Sequence, residues 1–195
     1  MKRLLIAIGM PLRPMMLFIL RLFFDKKYLQ GRCFETSITG FAWCFRAIWQ
    51  RNILRLAPPM PFPAHLTCRI ANAYNLEFHP DDIGNLQAPG TYFQNELGRI
   101  SLGKGCYIAP NVGLITANHD PSNPDKHLPG EDIELGPACW IGMNSVVLPG
   151  TRLGPGTVVA AGSVVTKSFP EGRCVLAGVP ARVIKQLPAA QCADQ

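Results

Sequence analysis

The chain has 195 residues, which is enough for one good-sized domain with a smaller appended segment, and it carries a formal net charge of +6 at pH 7. Residues 1–57 hold ten Lys or Arg against Asp25 and Glu35, whereas the remainder holds nine basic and eleven acidic residues. The positive charge therefore belongs to the N-terminal segment, and this distribution argues against a basic nucleic-acid-binding surface on the rest of the chain.

The first element is an apolar stretch over residues 4–24. It is interrupted by residues that break helices or carry charge, namely Gly9, Pro11, Arg13, Pro14 and Arg21. Because an arginine near the bilayer centre costs about 2.5–3.5 kcal/mol on insertion scales, the stretch is a poor membrane-spanning helix. It also lacks a small-residue cleavage site, which disfavours a signal peptide. An interfacial helix and a helix packed on a partner both remain open.

Residues 32–56 leave the same two alternatives open, but their pattern is clearer. Apolar side chains recur at helical spacing at Phe34, Ile38, Phe41, Phe45, Ile48 and Ile53, with Trp49 beside them. Polar and basic residues, Arg46, Gln50, Arg51 and Arg55, fall largely on the other side. This pattern favours a helix lying in a lipid headgroup layer, and the alternative is packing on the rest of the chain or on a neighbouring subunit. We therefore predict that residues 1–57 form an amphipathic helical segment on the inner face of the cytoplasmic membrane.

A proline-rich linker, Pro58 to Pro63, ends the helical segment. Beyond it, Ile70 and Leu76 fit a six-residue spacing, which the Gly/Pro-containing patch Ile83–Gly90 interrupts. The spacing returns at Leu102, Ile108 and Leu114, and small or short residues occupy the positions in between at Cys106 and Val112. The early part of this region is therefore expected to be irregular.

From residue 117 to residue 132 the spacing is lost in a polar run that contains three prolines. When a repeat is lost and then regained, the intervening stretch is normally a loop that leaves the repeat sideways. Functional residues are common on such loops, so residues 117–132 are the expected place for a site.

The most regular stretch follows. An aliphatic residue recurs at every sixth position, and a small residue follows four positions later: Leu135, Ile141, Val147, Leu153, Val159 and Val165, with Cys139, Ser145, Thr151, Thr157 and Ser163. A period of six is neither helical nor that of a plain strand, so it indicates a repeating unit made of a short strand and a turn. Three such units to a coil, with the aliphatic residues meeting on an axis, predict a stacked β-solenoid.

Seven cysteines are present, without a CxxC motif or a Cys/His ligand spacing. Cys106 and Cys139 fall on the small inward positions of the repeat. We therefore expect reduced structural thiols, as in a cytosolic protein.

The motifs AGSVVTK (Ala161–Lys167) and AGVPARVIK (Ala177–Lys185) resemble the hexapeptide-repeat acyltransferases, and within them the maltose, galactoside and polysaccharide O-acetyltransferases. This resemblance implies a mainly β protein: a left-handed parallel β-helix over residues 58–187, a preceding α-helical segment, a short C-terminal helix and a tail over residues 188–195. It also implies a homotrimer and acetyl-CoA as co-substrate, with no metal.

Transfer of an acetyl group to a hydroxyl needs a base with a pKa near neutrality, which histidine supplies. Of four histidines, only His119 and His127 lie in the loop, and the segment TANHDP resembles the family segment whose histidine is the general base. We therefore predict that His119 is this base. His127 is assigned to substrate contact or to loop folding, and Asp120 or Asp125 to orienting the imidazole or, for Asp120, to substrate binding. Asn95, in YFQN, resembles a family asparagine near the acceptor.

The resemblance also implies a coenzyme site. Trp140 matches the aromatic residue that lines the catalytic cleft. Small residues expected along the pantetheine arm are Gly142, Ala161 and Gly162, and contacts to adenine and phosphate are expected from Thr166, Lys167, Arg182 and Lys185. Ser163 is assigned to packing.

The expected function is acetyl-CoA-dependent O-acetylation of a carbohydrate hydroxyl, and the N-terminal segment favours a lipid-linked or membrane-proximal glycan, as in surface polysaccharide or O-antigen synthesis. Two other functions remain open. A zinc hydratase of the γ-carbonic-anhydrase type has the same solenoid but needs three histidines on one metal. A non-catalytic trimeric scaffold at the membrane would leave the loop histidine without a role.

Overall fold

The structure, a computed structural model, describes residues 12–188. These residues form two compact units. The first comprises the chain up to Cys68 together with His79–Pro89, and the second comprises Arg69–Phe78 together with the chain from Gly90 onward. The first unit thus extends beyond the predicted segment 1–57 and includes a later piece of chain.

The first unit is helical. Its elements are α1 (Arg13–Leu20), a 3₁₀ turn (Lys26–Tyr28), α2 (Arg32–Glu35), α3 (Thr39–Ala47), which continues as a π-helix (Ile48–Ile53), and a 3₁₀ helix (Pro80–Gln87). Between α2 and α3, the Ser37 hydroxyl accepts a hydrogen bond from the Thr39 backbone N–H at 3.1 Å and interrupts the predicted continuous helix. The core is apolar and consists of Leu20, Phe24, Phe34, Phe41, Cys44, Phe62, Ile83 and Leu86.

The buried guanidinium of Arg51 joins the π-helix to the proline-rich linker. It is 2% exposed and donates to four backbone carbonyls, those of Pro58, Ala64, His65 and Cys68. Desolvation lowers the pKa of Arg51. Two of these carbonyls, those of Ala64 and Cys68, belong to buried residues, and the guanidinium supplies each of them with a donor.

The piece His79–Pro89 is attached to α2 through Arg32. The Arg32 backbone N–H donates to the Asp81 carboxylate at 2.8 Å and its Nε donates to the Asp81 carbonyl at 3.0 Å. The Arg32 guanidinium also lies 3.7 Å from the carboxylate of Asp82, whose side chain is buried. Gly31 makes this approach possible, because a Cβ there would overlap the Asp81 carboxylate.

The second unit is a column of short strands. In chain order these are β1 (Arg69–Ile70), β2 (Leu76–Glu77), β3 (Tyr92–Gln94), β4 (Ile100–Leu102), β5 (Tyr107–Ile108), β6 (Gly113–Ile115), β7 (His119–Asp120), β8 (Asn123–His127), β9 (Ile133–Leu135), β10 (Trp140–Ile141), β11 (Val146–Val147), β12 (Arg152–Leu153), β13 (Val158–Val159), β14 (Val164–Val165), β15 (Cys174–Gly178) and β16 (Ala181–Gln186). A 3₁₀ turn (Ala73–Asn75) precedes β2.

Three parallel sheets form the sides of this column. Sheet A has the order β1-β3-β6-β11-β14, sheet B has β2-β4-β9-β12, and sheet C has β5-β10-β13-β15, with β16 added antiparallel at its end. The chain visits the sheets in the order A, B, C, and then begins the next coil. This is the predicted left-handed parallel β-helix.

The side chains confirm the six-residue repeat. The predicted aliphatic residues from Leu135 to Val165 are each at most 3% exposed, and the small residues from Cys139 to Ser163 are at most 1% exposed. The registers Ile141↔Val159 and Val147↔Val165 stack each inward residue on its counterpart in the next coil. The hydrophobic core of this unit is therefore one continuous axis.

The predicted C-terminal helix is wrong. Up to Pro188 no helix follows the column, and the chain instead forms β16, which pairs antiparallel with β15. The β-branched Val183 and Ile184 favour a strand, and pairing with the edge of sheet C supplies the backbone hydrogen bonds. The tail predicted over residues 188–195 lies outside the described residues except for Pro188.

Within residues 12–188, none of the helices combines the length and the apolar character needed to cross a membrane.

Candidate active site

The loop predicted over residues 117–132 is a β-hairpin that leaves the column between β6 of sheet A and β9 of sheet B. Its strands β7 and β8 pair antiparallel, with His119 opposite His127. At the turn, the Asp120 carboxylate accepts from the backbone N–H of Ser122 at 2.8 Å and from its hydroxyl at 2.6 Å. The side-chain hydrogen bond from Ser122, with the backbone one, lowers the pKa of Asp120.

The base of the hairpin is attached to the column by hydrogen bonds. The Gln94 side-chain carbonyl accepts from the backbone N–H groups of Thr116 and Ala117 at 3.0 and 3.2 Å. Across the base, the Leu128 N–H donates to the Asn118 carbonyl and the Glu131 N–H to the Thr116 carbonyl, both at 2.8 Å. The hairpin therefore leaves the column in a defined direction.

The imidazole of His119 is exposed, and its Nδ1 lies 2.6 Å from the backbone carbonyl oxygen of Pro124. Because a carbonyl oxygen only accepts, Nδ1 must carry the proton, so in the neutral ring Nε2 keeps its lone pair. The His127 ring packs against the His119 ring with centroids 4.3 Å apart and planes at 40°. The hairpin thus holds an imidazole by two contacts and leaves a basic nitrogen available.

The predicted role of a carboxylate in orienting His119 is replaced by this carbonyl. The Asp120 carboxylate accepts hydrogen bonds from Ser122 instead. Sequence reasoning missed both Pro124 and Gln94. The Pro124 interaction is made by a backbone carbonyl, which has no signature in the sequence.

Asn95, predicted to lie near the acceptor, is buried in the column. It is 0% exposed, its side-chain carbonyl accepts from the Asn72 N–H at 3.0 Å, and its amide donates to the Asn72 carbonyl at 2.7 Å. The side chain is buried and satisfies the backbone of the first coil, so it does not lie at the surface where an acceptor could reach it.

Three of the predicted coenzyme residues meet at the corner between sheets C and A. The Gly142 N–H donates to the Val159 carbonyl and the Gly162 N–H to the Met143 carbonyl, both at 2.8 Å. At Gly162, with φ +71°, an added Cβ would meet nothing within 4 Å, and Ala161 beside it is exposed. This corner therefore offers open backbone to a ligand.

Gly142 also has a structural role that was not predicted. A Cβ there would lie 2.6 Å from the Ala161 nitrogen and 2.7 Å from the Val159 oxygen. Its missing side chain is needed for the coils to stack at this corner.

Trp140 lies on the outer surface of sheet C and is 56% exposed. The register aligns it with Tyr107 below and with Val158, Val175 and Lys185 above. Arg182 and Lys185 are exposed on β16 at the end of the same sheet. Sheet C thus carries an aromatic and aliphatic row that ends in basic residues.

Thr166 and Lys167 lie elsewhere, directly after β14, at the corner where the chain passes from sheet A toward sheet B. Lys167 lies over the Phe169 ring, with Nζ 5.5 Å from the centroid. The His119 hairpin leaves the column at this same A/B corner, several coils earlier.

In a three-sided column, the A/B corner lies opposite sheet C. One copy of the chain therefore does not bring His119 together with Trp140, Arg182 and Lys185.

In the part of the chain that the structure describes, no three or more His, Cys, Asp or Glu side chains are grouped so that they could hold a metal ion. The hydratase alternative would require such a group.

Comparison with known proteins identifies the same six-residue repeat. Residues 132–167 match the family model described as bacterial transferase hexapeptide (six repeats). A solved maltose O-acetyltransferase from Clostridium difficile 630 superposes with a TM-score of 0.51 at 30% identity, over 63% of this chain and 64% of that chain. The column therefore contains the hexapeptide repeat of bacterial transferases over residues 132–167 and is similar to hexapeptide-repeat acetyltransferases.

Two curated relatives are similar to part of this chain. The galactoside O-acetyltransferase of Escherichia coli strain K12 is 39% identical over 92 residues, which is 45% of this chain and 44% of the relative. WbbJ of the same strain, named as a proposed lipopolysaccharide biosynthesis O-acetyl transferase, is 39% identical over 99 residues, or 45% of this chain and 50% of the relative. The chain thus spans about half the length of these relatives.

Proposed function

We propose that the protein is an O-acetyltransferase that transfers an acetyl group from acetyl-CoA to a carbohydrate hydroxyl, with His119 as the general base. The observation that supports this best is the hydrogen bond between Nδ1 of His119 and the Pro124 carbonyl, which leaves Nε2 as an acceptor on an exposed ring. The similarity of the column to acetyltransferases supports the choice of reaction.

In the proposed reaction, Nε2 of His119 accepts the proton of the acceptor hydroxyl as its oxygen attacks the thioester carbonyl carbon. A C–O bond forms, the carbonyl electrons move to oxygen, and the tetrahedral adduct then collapses with cleavage of the C–S bond. The imidazolium returns its proton to the leaving thiolate. The backbone carbonyl of Pro124 stabilises the imidazolium because it accepts from Nδ1 in both protonation states.

The coenzyme would lie along the corner between sheets C and A. Gly162 and Ala161 leave room for an extended chain, the exposed Trp140 offers an apolar surface beside it, and Arg182 and Lys185 carry charge suited to phosphate. Lys167 would reach the same coenzyme only from another copy.

A homotrimer would supply both halves of the site. The outward row of sheet B contains ion pairs, with Arg99 to Glu77 at 2.9 Å and Arg152 to Glu134 at 3.3 Å. The outward rows of sheets A and C are instead mostly apolar. This difference favours sheets A and C over sheet B as the contact surfaces of a cyclic trimer, with the coenzyme corner between them left open. The A/B hairpin of one copy would then face sheet C of the next.

For the acceptor we propose a glycan of surface polysaccharide or O-antigen synthesis, presented on a lipid carrier at the inner face of the cytoplasmic membrane. The relatives named for galactoside and lipopolysaccharide acetylation support a carbohydrate. The basic N-terminal segment supports a position at the membrane surface.

The test is release of CoA thiol by the full chain with a panel of glycan acceptors. His119→Ala should reduce turnover by on the order of 10²–10⁴ while calorimetric affinity for CoA is unchanged. His65→Ala, in the helical unit, is the matched control and should keep full activity. Activity in the His119 variant would refute the base assignment.

The same preparation separates the alternatives. Absence of CoA release with every acceptor, together with an intact trimer, would favour the scaffold. Stoichiometric zinc with carbon dioxide hydration would favour the hydratase.

A further inference from the structure

Helix α3 with its π-helical continuation has two apolar faces. The inner face, with Phe41, Cys44 and Ala47, is at most 6% exposed and packs in the core of the helical unit. The outer face is a stripe of Phe45, Trp49 and Ile53, which are 49%, 56% and 58% exposed. A helix that only packs on its own domain has a polar outer face, so this stripe requires another explanation.

Helix α1 has the same property. Leu20 is completely buried, whereas Met15 and Phe18 on the helix, and Leu22 in the turn that follows it, are 56%, 69% and 74% exposed. Large exposed side chains thus occur on both main helices of this unit. We call these six residues the outer apolar surface: Met15, Phe18, Leu22, Phe45, Trp49 and Ile53.

Positive charge accompanies this surface. Between residues 12 and 57 the chain has eight Lys or Arg and only Asp25 and Glu35 as acids. Arg21 lies between Ile19 and Leu22, Arg46 is adjacent to Phe45, and both arginines are exposed. Apolar side chains interspersed with exposed cations match the chemistry of an anionic phospholipid surface, which offers acyl chains beneath negatively charged headgroups.

We infer that the outer apolar surface docks the helical unit onto an anionic phospholipid bilayer, with Phe18, Leu22, Phe45 and Trp49 entering the headgroup layer. The inference rests on the proposed function for its biological setting and deepens it by assigning the membrane contact to named side chains. Docking is peripheral, because the described helices are too short or too polar to span. A second copy is disfavoured as the occupant, since two such surfaces would bring together cations of the same sign.

Bilayer binding of this type uses two signals. Insertion of apolar side chains provides one, and attraction between the exposed cations and anionic lipid provides the other, which weakens as salt screens it. The inference therefore predicts dependence on lipid charge, on ionic strength and on the aromatic residues.

The test is flotation of the full chain with two kinds of vesicle, pure phosphatidylcholine and an equal mixture of phosphatidylcholine and phosphatidylglycerol. Binding is expected only to the mixture, and about tenfold weaker binding is expected in high salt or for Arg21→Gln combined with Lys26→Gln. The combined substitution Phe45→Ser, Trp49→Ser and Ile53→Ser should reduce binding by at least about tenfold. Tyr74→Ser is the matched control, because Tyr74 is 81% exposed but lies in the column unit.

Two results would overturn the inference: equal or absent binding to both vesicles, or a change of oligomeric state in the triple serine variant without a change in flotation. Flotation does not depend on catalysis, and the triple variant should still acetylate a soluble acceptor. Failure of docking and failure of the proposed reaction are therefore separate outcomes. Circular dichroism of the triple variant checks that the helical unit has folded.

Discussion

Gly130 lies directly against the backbone of Leu97, so closely that a Cβ on Gly130 would overlap the Leu97 carbonyl oxygen. This contact is at the base of the hairpin, where Gly98 is similarly pressed against the Glu131 carbonyl, 2.9 Å from the position a Cβ would occupy. The direction in which the hairpin leaves the column is thus fixed by backbone contacts. Any side chain at these glycines must move the hairpin that carries His119.

Gly130→Ala should lower kcat on the order of 100-fold, because a displacement of about 1 Å at a catalytic group costs that much. The column should remain folded, since the hairpin lies outside its axis. Gly156→Ala is the comparison: it should cost about 1 kcal/mol from its positive φ, but its Cβ would meet only ordinary van der Waals contact, with Arg173 Cγ at 3.6 Å. Steady-state kinetics and thermal unfolding of both variants check this, and normal activity in Gly130→Ala would contradict the role given to the hairpin base.

His127→Ala should lower kcat about tenfold with little effect on KM, because the ring that packs against His119 is lost. His127→Phe keeps a flat ring at that position and should restore most of the activity. If His127 instead contacts the substrate, both variants will raise KM and phenylalanine will not rescue it.

Ser145→Leu should destabilise the column by about 1–3 kcal/mol, because the inward small position has no room for a larger side chain. Ser145 is completely buried, and its hydroxyl donates to the Ala160 carbonyl at 2.9 Å. Val146→Thr, one position along and facing outward, should change the free energy of unfolding by less than about 1 kcal/mol. Chemical denaturation followed by circular dichroism measures both.

Arg51→Met should destabilise the helical unit by about 1–3 kcal/mol for each buried carbonyl left without a donor. The exposed Arg99, paired with Glu77 on sheet B, offers a contrast, and Arg99→Gln should cost at most about 1 kcal/mol. Hydrogen exchange reports the stability of the helical unit and of the column separately. Unchanged protection of the amides of residues 51–68 in the Arg51 variant would contradict a stabilising role of the Arg51 hydrogen bonds.

Burial raises the pKa values of the Cys44 and Cys68 thiols to about 12. Since the thiolate is the reactive form, neither should react with a maleimide at pH 8 in the folded protein, and both should react on unfolding. Mass spectrometry in a Cys192→Ser background identifies the labelled sites. Rapid labelling of Cys68 in the native state would show that the linker opens.

The sequence alone predicted the column, because the six-residue spacing of aliphatic and small residues determines which side chains face inward. It also placed His119 in a loop, residues 117–132, that leaves the column. It did not predict that the excursion is a hairpin, because β8 begins Asn123–Pro124–Asp125, residues that disfavour strands. Pairing across the turn overrides that preference.

Contacts between distant residues explain the other differences. The patch near Ile83 was expected to be an irregular coil, but Arg32, 49 residues before Asp81, holds it in the helical unit. For the helices, the pattern predicted one apolar face and one basic face. The structure has two apolar faces, and only burial distinguishes Phe41 from Phe45.

The continuous axis has a consequence for how such proteins diversify. Both side branches, His79–Pro89 and the hairpin, leave between strands whose stacking with neighbouring coils is unaffected, so their length and composition are free of the constraint that governs the axis. A change of length or sequence in either branch therefore leaves the stacking of the coils beneath it intact.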